Sequence, residues 1–111
     1  MMVRLLVVAA AVGIITGVIA VGGHILAVVA HAVGGVVALA CVGVAARHAW
    51  NHTLKLLVGG MVIANLTGVV WTVYGTTAAV VIAHVITGVA TSAGALIVAT
   101  NQVSNSNTET A

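Results

Sequence analysis

Two long apolar stretches account for most of this chain. From Leu5 to Ala46 there is no Lys, Arg, Asp or Glu, and from Leu56 to Thr108 there is none again. Only the segment from Arg47 to Lys55 separates them. A single helical crossing of a bilayer core of about 30 Å takes about 20 apolar residues, so each stretch is about twice as long as one crossing needs. Glycine and turn residues mark a break within each: Gly22-Gly23-His24 in the first, Tyr74-Gly75-Thr76-Thr77 in the second. The pattern predicts an all-α fold, a hydrophobic helical hairpin of two long arms. The arms divide into helical segments at about 4–22, 25–47, 54–74 and 77–100, around a basic loop. A β-barrel is excluded, because the apolar/polar alternation it requires in units of about ten residues is missing.

The two arms resemble each other. Arg4-Leu5-Leu6-Val7 aligns with Lys55-Leu56-Leu57-Val58, and Thr16-Gly17-Val18 with Thr67-Gly68-Val69. After a two-residue insertion, Ala30-His31 aligns with Ala83-His84 and Gly35-Val36 with Gly88-Val89. Over about 35 positions about 12 are identical, about three times what such a biased composition gives by chance. The chain reads as one helical domain, 1–111, with a duplicated two-segment unit at 4–46 and 55–99 and a polar tail at 101–111.

Composition sharpens the class. The chain of 111 residues is 62% hydrophobic and 4% charged, with a mean hydropathy of +1.31. A soluble domain of this length leaves too much surface in water to hide so many apolar side chains. Val, Ala and Gly dominate, and Phe and Pro are absent. Small residues let helices approach closely in lipid, where the backbone must satisfy its own hydrogen bonds and helix prevails over Val's modest propensity. The start, with Arg4 before an apolar run and small Ala20 and Gly22, has the form of a signal peptide; a retained first helix is expected. Counting positive charge places Arg4, Arg47 and Lys55 on one side, the cytoplasmic side, if the chain crosses four times. A two-crossing hairpin puts Arg4 on the other side.

Few residues carry chemistry. No acid lies within either arm, no Ser–His–Asp set appears and no phosphate-binding glycine loop is present, so no enzymatic activity is expected. The lone Cys41 forms no internal disulfide and reads as a small buried apolar residue. Arg47, His48, His52 and Lys55 gather cationic groups around Trp50, which suits an interfacial anchor at phosphate level or, multiplied by assembly, a surface for lipid headgroups or nucleic acid. Spaced by four, His48 and His52 would share a helix face, but without a third ligand no metal site is expected there. The repeat makes His31 and His84 equivalent, each a turn or two inside the face opposite the basic loop. Intramembrane ionisable residues are functional candidates. This pair suits either hydrogen bonding across helix contacts or axial ligation of a haem b iron, which resembles in outline the membrane four-helix b-type cytochromes.

The run from Val36 through Arg47-His48-Ala49-Trp50-Asn51-His52-Thr53-Leu54-Lys55 to Gly59-Gly60 and Ile63 resembles the conjugative pilins of the type IV secretion class, and archaeal DNA-import pilins are similar in build. Those proteins have a hydrophobic helix, a short basic loop and a second hydrophobic helix that opens with a Gly-Gly-containing stretch. The arms here are longer than in the bacterial pattern, and the duplication is not part of it. The resemblance implies a membrane-stored subunit that assembles into an extracellular, lipid-associated helical homopolymer through secretion-type membrane machinery. Arg47, His48, His52 and Lys55 would then face lipid headgroups or single-stranded DNA in the lumen, with bound lipid and no other cofactor. A bis-histidine haem protein of electron transfer and a structural envelope protein of a virus-like particle are the alternatives.

Overall fold

The computed structural model describes residues 1–49 and 51–110; Trp50, the expected interfacial anchor, lies outside them. Four helices make up the fold: α1 (Met2–Ala20), α2 (Ile25–His48), α3 (His52–Tyr74) and α4 (Ala78–Thr110). Among the described residues there is no strand. Each helix is long and apolar enough to cross a membrane, and the protein is accordingly placed in one.

Short turns set the up-and-down order. Gly23 and Gly75 adopt φ of 76° and 88°, a left-handed conformation that side chains disfavour, which is why glycine stands where α1 and α3 reverse. Polar side chains then start the following helices. His24 Nδ1 accepts from the Leu26 amide at 3.2 Å, Asn51 Oδ1 from Leu54 at 2.9 Å and Thr77 Oγ1 from Val80 at 3.4 Å, each satisfying an amide that has no partner in a helix's first turn.

Helix α4 runs ten residues past the expected end at 100. No Gly or Pro stops it, and its hydroxyls bond back to the helix: Ser106 Oγ donates to the Gln102 carbonyl and Thr108 Oγ1 to that of Ser104, both at 3.0 Å. At about 1.5 Å per residue, 33 residues extend about 50 Å, which accounts for the molecule's 52 Å long dimension. The polar segment 101–110 is therefore helical rather than an irregular tail.

The helices form a ring, α1 beside α2 and α4, and α3 beside α2 and α4, so α2 and α4 face one another across its centre. The ring is closed at one end only. Leu6, Ala9 and Ala10 of α1, Val42, Ala45 and Ala46 of α2, Leu54, Leu57 and Met61 of α3, and Ala95 and Ala99 of α4 form one buried cluster near the basic turn. Toward the opposite end the apolar residues Ile19, Val21, Ile25, Leu26, Val73 and Tyr74 are exposed. That exterior is the surface that lipid covers.

Candidate functional site

Between the open halves of the four helices lies a cavity of about 1140 Å³, at the upper limit of ordinary ligand pockets. It reaches from Val21, Gly23 and Thr76 at the open end down to Ala38, Met61, Thr91 and Ser92. His31 and His84 meet inside it. Each is the sixth residue after its helix start at Ile25 or Ala78, about 9 Å along the axis, so the duplication brings the two rings to one level. Their Nε2 atoms are 3.4 Å apart.

The repeat also builds the support of each ring. Thr16 Oγ1 lies 3.0 Å from His31 Nδ1, and Thr67 Oγ1 lies 3.2 Å from His84 Nδ1. The residue after each threonine is glycine. A Cβ on Gly17 would stand 3.4 Å from His31 Cε1, and one on Gly68 would stand 3.1 Å from His84 Cε1. Thr-Gly on the first helix of each unit and His on the second thus form one module, used twice. Trp71 departs from the symmetry, its position being occupied by Ala20 in the first unit. It sets its ring edge-on to His84 at 5.8 Å and donates Nε1–H to Thr76 Oγ1 at 2.8 Å.

Hydrogen bonding fixes the His84 ring. A carbonyl only accepts, so the 2.9 Å contact between His84 Nδ1 and the Ala64 oxygen requires hydrogen on Nδ1. Thr16 Oγ1 reaches both the Val12 carbonyl and His31 Nδ1, and the two Nε2 atoms lie within hydrogen-bond distance of each other. Metal-ligating histidines are oriented as His84 is, by giving their other N–H to a backbone or side-chain oxygen.

The rings are also aligned. A five-membered ring with bonds near 1.35 Å has its corners about 1.15 Å from its centre. The ring centroids are 5.7 Å apart and the Nε2 atoms 3.4 Å apart; the excess of about 2.3 Å is two such radii. Both Nε2 atoms consequently lie close to the line joining the ring centres. Ligands of a tetrahedral ion converge at an angle, which would bring the centroids closer for the same nitrogen separation. The ring planes cross at 79°.

Two imidazoles so presented could hold a haem iron between them. Gly17 and Gly68 make way for the two histidine rings, Gly35 for Asn65 and Gly13 for Ser92, while Gly88 faces open space among the Val and Ala of the cavity wall. His31 and His84 would be the residues that hold a haem, which when bound supplies one-electron oxidation and reduction. The chain's own groups hold the imidazoles in register.

Replacing Thr16 with Val tests the support. The variant should lose about 0.6–2 kcal/mol, the range for a hydrogen bond between membrane helices, and change the tautomer balance of the His31 ring. Thermal unfolding in detergent, together with the ring's NMR tautomer signature, would reveal it; unchanged values for both would remove Thr16 from the site.

The basic residues form no such constellation. Arg47 and His48 end α2, while His52 and Lys55 begin α3, and all four are exposed. His48 and His52 therefore do not share a helix face, because α2 ends at His48 and Asn51 caps a new helix. Among the described residues no three His, Cys, Asp or Glu side chains gather into a metal-binding group. Sequence reading paired the histidines but missed Thr16, Gly17, Thr67 and Gly68 as their supports; the signal was present, since Thr-Gly recurs with His in the same repeat. Comparison with protein-family models, curated proteins and solved structures gives no match.

Proposed function

We propose that this chain is a membrane protein that binds one haem b between His31 and His84 and serves electron transfer. One observation carries the reading: two intramembrane imidazoles, at positions that the sequence repeat aligns, present collinear Nε2 atoms within a large apolar cavity. The contacts of Nδ1 with Thr16, Thr67 and the Ala64 carbonyl hold that arrangement. The test is to express the chain with an adequate haem supply and purify it from membranes. Absorption near 410–420 nm with one iron and one porphyrin per chain supports the reading. Colourless protein after haem titration, or protein carrying copper or zinc alone, overturns it.

The exposed basic turn favours a second reading, the subunit of a lipid-associated pilus. In that assembly Arg47, His48, His52 and Lys55 would line a lumen and meet phosphate, and open-ended contacts between copies would build the filament. Arg47→Glu with Lys55→Glu separates the two. A pilus subunit should lose assembly or DNA passage while keeping its helix content. A haem protein should keep its absorption spectrum, and the fraction inserted in the expected orientation should fall because the inside-positive signal is lost. Protease protection in oriented vesicles, read beside electron microscopy of sheared surface material, checks both.

A further inference from the structure

The repeat brings two histidines to one level, but the chain does not hold them alike. Two oxygens converge on His84 Nδ1, the Ala64 carbonyl at 2.9 Å and Thr67 Oγ1 at 3.2 Å. Thr67 donates its own hydroxyl hydrogen to the same carbonyl at 2.9 Å, so ring, hydroxyl and carbonyl lock one another. Trp71 adds an edge-on ring contact. His31 Nδ1 has Thr16 Oγ1 alone, at 3.0 Å. Thr16 reaches four residues back, to the Val12 carbonyl, where Thr67 reaches three, and among the described residues no carbonyl meets the His31 ring. Ala20 stands at the position equivalent to Trp71. The tautomers differ as well. In a neutral ring, hydrogen on Nδ1 leaves Nε2 bare, so a hydrogen bond between the two Nε2 atoms takes its hydrogen from His31. That hydrogen has to exchange to Nδ1 before His31 can ligate, and a hydroxyl, which both donates and accepts, favours neither form.

We propose that His84 is the permanent iron ligand and His31 an exchangeable one, an inference that rests on the haem reading. The site then takes a second ligand in the place that the His31 ring leaves: a small neutral molecule with a donor lone pair, of the size of carbon monoxide. Two oxygens must be given up to free His84 and one to free His31, each contact being worth about three- to thirtyfold in a membrane. The cavity gives the freed ring room on its own side, toward Val21, Gly23 and Val28. Neutrality follows from the lining, which among the described residues includes no Lys or Arg to offset an anion.

Two measurements on the full-length protein in detergent test this. In the metal-free protein, nitrogen-15 NMR of the histidine rings, assigned with His31→Leu and His84→Leu, should show His84 with hydrogen on Nδ1 only and His31 as an exchanging mixture. Two rings fixed alike, or the reverse order, overturn the inference and leave the haem reading standing. Wild type loaded with iron protoporphyrin IX and reduced is then titrated with carbon monoxide. Its complex should share the Soret position and Fe–CO stretching frequency of the His31→Leu complex, because His84 stands opposite the added ligand in both. His31→Leu should saturate at least about threefold earlier, since the one contact that holds His31 in competition is gone. A bis-histidine spectrum that carbon monoxide does not move, or a complex that matches His84→Leu instead, overturns the exchange alone. No bis-histidine spectrum in wild type overturns both readings.

Discussion

Replacing either His31 or His84 with Leu should abolish the six-coordinate, low-spin haem spectrum, and the double variant should retain no stoichiometric porphyrin. Each imidazole would supply one of two opposed bonds, and the other haem-ligating residue type on the cavity wall, Met61, lies at its floor as part of the buried cluster. Asn65 gives its nitrogen to the Met61 and Gly35 carbonyls, and Trp71 has no ring lone pair to give. The single variants should still fold, because the leucine fills apolar space and loses only a hydrogen bond of about 0.6–2 kcal/mol. Circular dichroism and gel filtration in detergent should therefore match wild type while the absorption spectrum changes. A His84→Leu protein with an unaltered spectrum would remove the pair from ligation. Filaments with unaltered stability from both variants would favour the pilus reading instead.

The largest structural effect is expected at Gly34. A Cβ at this position would stand 2.9 Å from Thr16 Oγ1, 3.0 Å from Val12 Cγ1 and 3.2 Å from Thr16 Cγ2, so α1 rests directly on the α2 backbone. Gly34→Leu should force the two helices apart and cost on the order of 1–3 kcal/mol or more, as overpacking does. It also displaces Thr16, the support of His31, so porphyrin affinity should fall together with the unfolding temperature. Gly23→Ala strains only the turn and should leave affinity close to wild type. If Gly34→Leu matches wild type in both measurements, the close approach of α1 and α2 does not set the site.

Much of the fold was legible because lipid restricts the choices. Charge-free runs broken at Gly22-Gly23 and Gly75 leave helices as the only way to satisfy the backbone, and the segments expected at 25–47 and 54–74 differ from α2 and α3 by no more than two residues at either end. The end of α4 was less legible, since a Ser/Asn/Thr sequence reads as an irregular tail until its hydroxyls are seen bonding back to the helix. His48 and His52 misled because a spacing of four has meaning only inside one helix, and Asn51 starts another. At the site, the repeat paired His31 with His84, but no sequence pattern gives the alignment of two rings. That depends on α2 and α4 facing each other across the ring, and on which nitrogen Thr16 and Ala64 engage.

The most direct measurement of the central claim is the electron paramagnetic resonance spectrum of the purified, oxidised protein. The two rings cross at 79°, and nearly perpendicular imidazoles on a ferric haem produce a strongly anisotropic low-spin signal with a single dominant low-field feature. The account predicts that signal in wild type, at one spin per chain, and its absence in both His31→Leu and His84→Leu. A high-spin ferric signal in wild type, or no haem signal from protein supplied with iron porphyrin, would contradict it.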